Sequence, residues 1–263
     1  MNFGRAALGI GTVVLLAVPA FPEEPDLITD RPDQTESAIV VPQGTVQLEI
    51  GWTFTREEEN GLRTETSEAA GTLVRVGLGQ TAELRIGWDG YLSVEQDLGG
   101  FETDADGPGD AAIGAKFHLR EERGRAPQMA LLVETTVPTG SDEFSSDDFD
   151  PAFRIAASHE LTDRLGLAYN AGLVWSTESG DTLSGYLYTA VLGIGISEKL
   201  GAFVELYGLI PASAPGGPAN SFDGGVTYLV TRKFQLDLAG GVGLSSAADD
   251  WFVGLGLSVR FPR

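Results

Sequence analysis

The sequence predicts an all-β fold, an antiparallel transmembrane β-barrel of about twelve strands with short periplasmic turns and longer external loops. Three observations carry that expectation. Runs of about ten residues alternate apolar with polar or small side chains, the period of a strand whose two faces meet different surroundings. The connections between runs switch between tight turns and longer polar loops, the asymmetry of barrels exported to an outer membrane. The chain also opens on a leader suited to export.

In that leader Arg5 precedes the apolar run Ala6–Ala17, and Val18-Pro19-Ala20 places small residues where a signal peptidase reads. Residues 1–20 are expected to be a secretory signal peptide cut after Ala20. The run is shorter than the roughly 20 residues a spanning helix needs, and no other such run follows. Residues 21–44 are proline-rich and polar without sustained period. They read as a periplasmic N-terminal segment ahead of a barrel over 45–263.

Composition narrows the function. The formal charge of −21 becomes −22 once Arg5 leaves with the leader. Nucleic acid is thereby excluded as a partner, because phosphate contacts need Lys and Arg. Cysteine is absent, so disulfides and thiol chemistry are excluded. Glycine occupies 35 of 263 positions, which closely packed, tilted strands tolerate.

The first strand spans Thr45–Arg56, with Val46, Leu48, Ile50, Trp52 and Phe54 on one face. A polar loop over Glu57–Glu68 leads to a second strand ending in Val74, Val76 and Leu78. After the turn Gly79-Gln80-Thr81, the third sets Leu84, Ile86 and Trp88 against Glu83, Arg85 and Asp89. A long Gly/Asp-rich loop, Ser93–Pro108, precedes the fourth strand, Gly109–Arg120. The fifth is Gln128–Val137, and the acidic loop Gly140–Asp150 leads to the sixth, Ala152–His159. The seventh starts near Leu165 and keeps phase to Trp175; the eighth is Thr182–Ile196 and the ninth Gly201–Ile210. After the loop Pro211–Asn220 come the tenth, Phe222–Val230, the eleventh from Phe234, and the twelfth, Trp251–Phe261. The twelfth carries an aromatic at each end, as membrane interfaces favour. An even count puts both chain ends on the periplasmic side.

The polar faces carry Glu49, Arg75, Glu83, Arg85, Lys116, Glu134, Arg154, Glu205, Asp237 and Arg260 at mid-strand positions. Charge is costly against lipid and tolerable against water, so these residues predict a wet lumen lined by both signs. They serve either as an ion-pair lattice bracing the wall or as a solute-selective lining. The loops hold acidic groups such as Glu57-Glu58-Glu59, Asp142, Glu143, Asp147 and Asp148, without the ordered spacing of a calcium loop. A solvated acidic rim is the expectation, with no metal and no cofactor. Only His118 and His159 are available as bases, and neither has a serine and a carboxylate placed beside it. The chain is therefore not expected to be an enzyme.

The stretch Ile28-Thr29-Asp30-Arg31-Pro32-Asp33-Gln34-Thr35-Glu36-Ser37, then Val41-Pro42-Gln43-Gly44 and Gln47-Leu48-Glu49-Ile50-Gly51, resembles the opening of the MetA-pathway of phenol degradation family. Gly109-Asp110 with Lys116, Pro138-Thr139-Gly140, Asp223-Gly224-Gly225, Gln235-Leu236-Asp237 and Gly241-Val242-Gly243-Leu244 are similar to its pattern too. The resemblance implies an outer-membrane barrel passing small, aromatic or hydrophobic compounds. One departure is the ending Phe261-Pro262-Arg263, where barrels commonly stop on the aromatic. The likeness also singles out Asp30, Arg31, Asp33 and Glu36 as plug candidates. Folded into the lumen, Arg31 would meet an inner carboxylate, and Asp30 or Glu36 would meet Arg75, Arg85 or Arg154.

The leading function is then a passive outer-membrane channel for small solutes. The alternative is a structural or adhesive barrel with a closed lumen and cation-binding acidic loops, and an outer-membrane lipid hydrolase ranks below both. Expected partners are outer-membrane lipid and lipopolysaccharide, the barrel assembly machinery and a small-molecule solute, with the chain a monomer.

Overall fold

The structure, a computed structural model, describes residues 27–178, 180–213 and 216–261. The expected leader over residues 1–20 and the terminal Pro262-Arg263 lie outside them. Fourteen strands account for the regular structure: β1 (Val46–Glu59), β2 (Leu62–Gly77), β3 (Ala82–Trp88), β4 (Tyr91–Leu98), β5 (Phe101–Pro108), β6 (Ala111–Arg120), β7 (Gln128–Val137), β8 (Pro151–Thr162), β9 (Leu165–Glu178), β10 (Asp181–Gly195), β11 (Leu200–Pro211), β12 (Ala219–Thr231), β13 (Phe234–Gly243) and β14 (Trp251–Phe261). All pairings are antiparallel. β1 pairs with β14 on one side and β2 on the other, so twelve strands close a ring in the order β1-β14-β13-β12-β11-β10-β9-β8-β7-β6-β3-β2. Closure leaves the barrel itself no unpaired edge.

The two remaining strands correct the sequence reading. Ser93–Pro108 is not a loop: β4 and β5 form a hairpin turning at Gly99-Gly100, both with positive φ. Glu57–Glu68 is not a loop either, because β1 and β2 continue through it to a turn at Asn60-Gly61 with φ of 53° and 84°. Both turns have the mirror-image geometry that suits the twist of hairpin strands, and Asn-Gly is its strongest sequence signal. β2 is 16 residues long and divides its partners: Thr72–Gly77 pair with β3 inside the ring, Leu62–Ala69 with β4 above it. The pairing with β1 slips at Gly51/Trp52, where the partners shift from Gly71 to Ala69. The β4–β5 hairpin thus stands as a flap beyond the barrel rim. Water meets both its faces, so polar composition does not disqualify the strands.

Burial is inverted relative to a water-soluble domain. Arg75, Glu49, Glu83 and Lys116 are 0% exposed, while Ile86, Leu238 and Leu255 are 45%, 50% and 51% exposed. Charged residues are almost never fully buried unless paired, and apolar side chains normally go inside. The pattern fits a barrel whose outside meets lipid. Aromatic rings cluster toward the loop end, with Phe54 and Trp251 5.5 Å apart and Phe153 edge-on to Trp175 at 6.0 Å. At the turn end of the same seam, β14 finishes on exposed Phe261 opposite Val46.

Candidate functional site

The segment ahead of β1 occupies the barrel interior. It enters at the turn end, where the Leu27 amide donates to the Arg232 carbonyl at 3.1 Å, and leaves there as the Gly44 amide donates to the Gly77 carbonyl at 2.8 Å. In between it climbs to mid-lumen and back. Polar backbone crossing a lumen needs partners, and the wall supplies them all round. The Asp30 amide donates to Glu49, Gln34 to Glu205, Glu36 to Asn170 and Val41 to Glu83, at 2.7–3.0 Å.

One arc of wall meets this segment with a dense ion-pair lattice. Arg75 on β2 donates through Nε to Glu83 Oε1 at 2.8 Å and through Nη1 to Glu49 Oε1 at 3.2 Å, and lies 3.1 Å from Asp30. Arg85 on β3 reaches Asp30 Oδ2 at 2.6 Å and Glu36 Oε1 at 2.8 Å. Lys116 on β6 donates to both Asp30 oxygens, at 2.8 and 3.0 Å. Farther round, Arg154 on β8 sits 3.5 Å from Glu134 on β7 and 3.9 Å from Glu36. Three wall cations therefore converge on one carboxylate, Asp30, that the wall does not own. Removing water from such groups is expensive, and mutual pairing compensates only when every partner is present. Burial alone would raise the Asp30 carboxyl, but Arg75, Lys116 and Arg85 hold it well below the usual carboxylate range. Burial also dominates at Glu36, whose carboxyl is pushed up to about 7 despite Arg85.

The opposite arc is different. Glu205 on β11 and Asp223 on β12 face each other across the ladder, 1% and 0% exposed. Asp237 follows on β13. The cation there is Arg31, whose Nη2 donates to Asp237 Oδ1 at 3.2 Å and to the Leu255 carbonyl at 3.3 Å. Gly51 and Gly256 are cross-strand partners on the β1–β14 seam. A Cβ on either would lie 2.2–2.5 Å from the nearest Arg31 guanidinium atom, so the paired glycines make the notch in which the guanidinium rests. At the turn end of this seam Arg260 donates Nε to Gln47 Oε1 at 3.1 Å.

All ten wall residues expected from alternation are on the inner face, and the structure joins seven of them, Glu49, Arg75, Glu83, Arg85, Lys116, Glu134 and Arg154, with Asp30 and Glu36 of the segment into one contiguous set, while Glu205 and Asp237 lie on the other arc and Arg260 reaches Gln47 at the β1–β14 seam. They face one another and the segment more than open water. Two cavities border the segment on the β8–β13 side. One of about 670 Å³ opens at the turn end, lined by Thr29, Arg31, Asp33, Val191, Phe203 and Gln235. One of about 270 Å³ opens at the loop end, lined by Gln34, Arg154, Tyr188, Thr189, Tyr207 and Asp249. Consecutive residues Asp33 and Gln34 border different cavities, so their backbone is the partition between them.

The family model described as Putative MetA-pathway of phenol degradation matches residues 29–261. The chain belongs to this family. The match begins at Thr29, so it takes in the lumenal segment as well as the barrel. No curated protein sequence matches the chain. Among solved structures, the COG4313 outer membrane channel from Pseudomonas putida F1 is 14% identical with a TM-score of 0.61, covering 84% of this chain and 97% of its own. The translocator domain of the autotransporter NalP from Neisseria meningitidis is 9% identical, TM-score 0.58, over 82% and 88%. The NanC porin is 9% identical, TM-score 0.53, over 82% and 100%. At these identities the likeness is one of fold, an outer-membrane barrel.

Several residues of this MetA-family barrel were given no role in the sequence reading. Asp223 sits in phase with the inner residues of its strand, a signal that was available. Asn170 and Thr189, which receive Glu36 and Thr35, are neutral and give none. Asp110 collects the amides of Thr139, Gly140 and Ser146 at 2.8–3.1 Å and the Ser145 hydroxyl at 3.2 Å, pinning the 138–150 loop. Asp150, expected on a solvated rim, instead accepts from Thr177 at 2.8 and 3.0 Å. Among the described residues no group of three or more His, Asp or Glu is arranged to hold a metal ion.

Proposed function

We propose that this chain is a passive channel of the outer membrane for small solutes, and that residues 29–37 are a plug built into its lumen. The observation that carries the reading is the pair of cavities, one open at each end, with the Asp33–Gln34 backbone between them. A purely structural barrel has no need of a vestibule at each end. The loop-end vestibule offers two tyrosines, Tyr188 and Tyr207, surroundings that suit a small aromatic ring. That chemistry agrees with the family description, which points to phenolic compounds. The charged arc serves as the plug's anchor rather than as an open selectivity lining, since its groups are committed to one another. The signal peptide, the monomeric state and contacts with lipopolysaccharide and assembly machinery belong to the same proposal.

Conductance in planar bilayers tests it. The full chain is expected to show small or rare openings, and a variant lacking residues 29–37 large, steady ones, with an aromatic acid reducing the current. Silence from both, with the deletion variant still folded, would overturn the channel in favour of a closed structural barrel.

A further inference from the structure

Glu205 and Asp223 are buried carboxylates side by side on the lumen wall. They are direct cross-strand partners on β11 and β12, and side chains so placed have Cβ atoms about 5 Å apart. Both Asp223 oxygens are buried and have no hydrogen-bond donor among the described residues. Neither carboxylate forms an ion pair among the described residues. Two adjacent carboxylates, out of water and without a cation, cannot both be ionised; one keeps its proton and donates it to the other.

The surroundings offer no substitute for that proton. From the segment comes a third acid, Asp33, whose carboxyl burial and then Glu205 push well above its usual range, with Asp30 and Asp223 adding to the effect. From β10 comes the neutral Thr189, from β11 the Tyr207 phenol, and from the β13–β14 loop Asp249 beside that phenol. From β13, Asp237 is already held by Arg31. Arg154 on β8 is committed to Glu134 and Glu36, and both histidines lie at the turn end with Glu121 and Glu122. No arrangement of three acidic or imidazole groups there suits a metal ion.

The pair also holds the partition. Glu205 Oε2 accepts the Gln34 amide at 2.7 Å, and Glu205 Oε1 accepts the Thr35 hydroxyl, which also contacts Thr189 at 2.6 Å. These bonds fix the backbone between the two cavities to the wall. We propose that Glu205 and Asp223 share one proton, and that this carboxyl–carboxylate pair latches the Asp33–Gln34 partition and releases it when the proton leaves. The proton passes to water through the loop-end cavity, which Ser221 lines two residues before Asp223. The bond broken is an O–H of the pair; what remains are two carboxylates that repel each other and Asp33, so Glu205 swings away and carries its two bonds off the segment. The inference rests on residues 29–37 being a plug, and it adds what opens it.

The experiment has two arms, both on the full chain. In planar bilayers from pH 5 to pH 10, wild-type conductance is expected to rise on the alkaline side by up to about tenfold per pH unit, the slope of one linked proton. Asp223→Asn and Glu205→Gln, each of which holds the pair at the single negative charge it has while it shares a proton, should stay in the low state throughout; two variants guard against one failing to fold. A variant that retains the wild-type rise overturns the latch. The second arm does not need a conducting pore. The chain has no cysteine, so Gln34→Cys gives one labelling site, and its maleimide reaction is compared with the same cysteine in the Asp223→Asn background at each pH, cancelling the thiol's own titration. A ratio that climbs with pH supports the latch, and a flat ratio overturns it. If the full chain and the plug deletion are both silent while the ratio climbs, the channel reading fails and the latch stands.

Discussion

The two arcs of the lumen wall hold the same segment by opposite means. On the β1–β8 arc, Arg75, Arg85, Lys116 and Arg154 face Glu49, Glu83, Glu134, Asp30 and Glu36, so four cations meet five carboxylates, nearly in balance. On the β11–β13 arc, Arg31 pairs with Asp237, while Asp33, Glu205 and Asp223 form no ion pair among the described residues and are left as surplus acid. A balanced lattice is rigid because every partner removed leaves a buried charge behind. An unbalanced cluster stays neutral only by binding protons, so it answers to solution conditions. The segment is anchored on one side and conditionally attached on the other.

The comparison breaks most severely at Arg75. Arg75→Met leaves Glu83, Glu49 and Asp30 without their shared cation, and the barrel is expected to lose about 3–5 kcal/mol. Guanidinium unfolding in detergent, followed by the heat-modifiable mobility of the folded form, measures it; a loss under ~1 kcal/mol would mean the lattice is not what braces this arc. Asp30→Asn removes the segment's half of the same lattice. It should leave the barrel folded but weaken the anchor by about 2–4 kcal/mol, read as faster proteolysis within residues 27–44.

A milder change distinguishes the arcs sterically. Gly256→Ala puts a Cβ 2.5 Å from the Arg31 guanidinium, which must leave its notch and with it Asp237. Arg31 is 24% exposed, so the expected loss is about 1 kcal/mol in unfolding, with a larger rise in opening frequency. The same substitution at Gly166 on the opposite wall, where the nearest atom lies at 3.8 Å, should change neither.

The smallest effect concerns pH at the anchored side. The Glu36 carboxyl is raised to about 7 from 4.5. A raised carboxyl contributes stability that is complete below the unfolded value and lost as pH rises through the folded one. Glu36→Gln should therefore compare more favourably with wild type at pH 8.5 than at pH 4, by about 1 kcal/mol in paired unfolding curves. A difference of opposite sign would show that Arg85 outweighs burial.

The barrel strands were legible because lipid on one side and charge on the other impose strict alternation; β7 and β14 begin and end where the pattern does. The flap was not, since β4 and β5 have no lipid face to mark them and Gly99-Gly100 reads as loop before it reads as turn. In the lumen, strand parity placed Arg75, Lys116 and Glu205 inward. It did not say that Asp30 would collect three cations, because partners across a barrel depend on the path of a segment with no period of its own. Along one arc the charged lining is a lattice of ion pairs. Asp223 was legible by phase, but an acid beside another acid is recognisable as special only once the register pairs it with Glu205.

The glycine notch orders events in time. Gly51 arrives with the first strand of the ring and Gly256 with the last, 205 positions later, and the hollow for Arg31 exists only where the two lie side by side. Until the ends of the barrel zip together, Arg31 has nowhere to sit. The guanidinium that settles there reports that the circle has closed, so the final docking of the segment follows the completion of the wall around it.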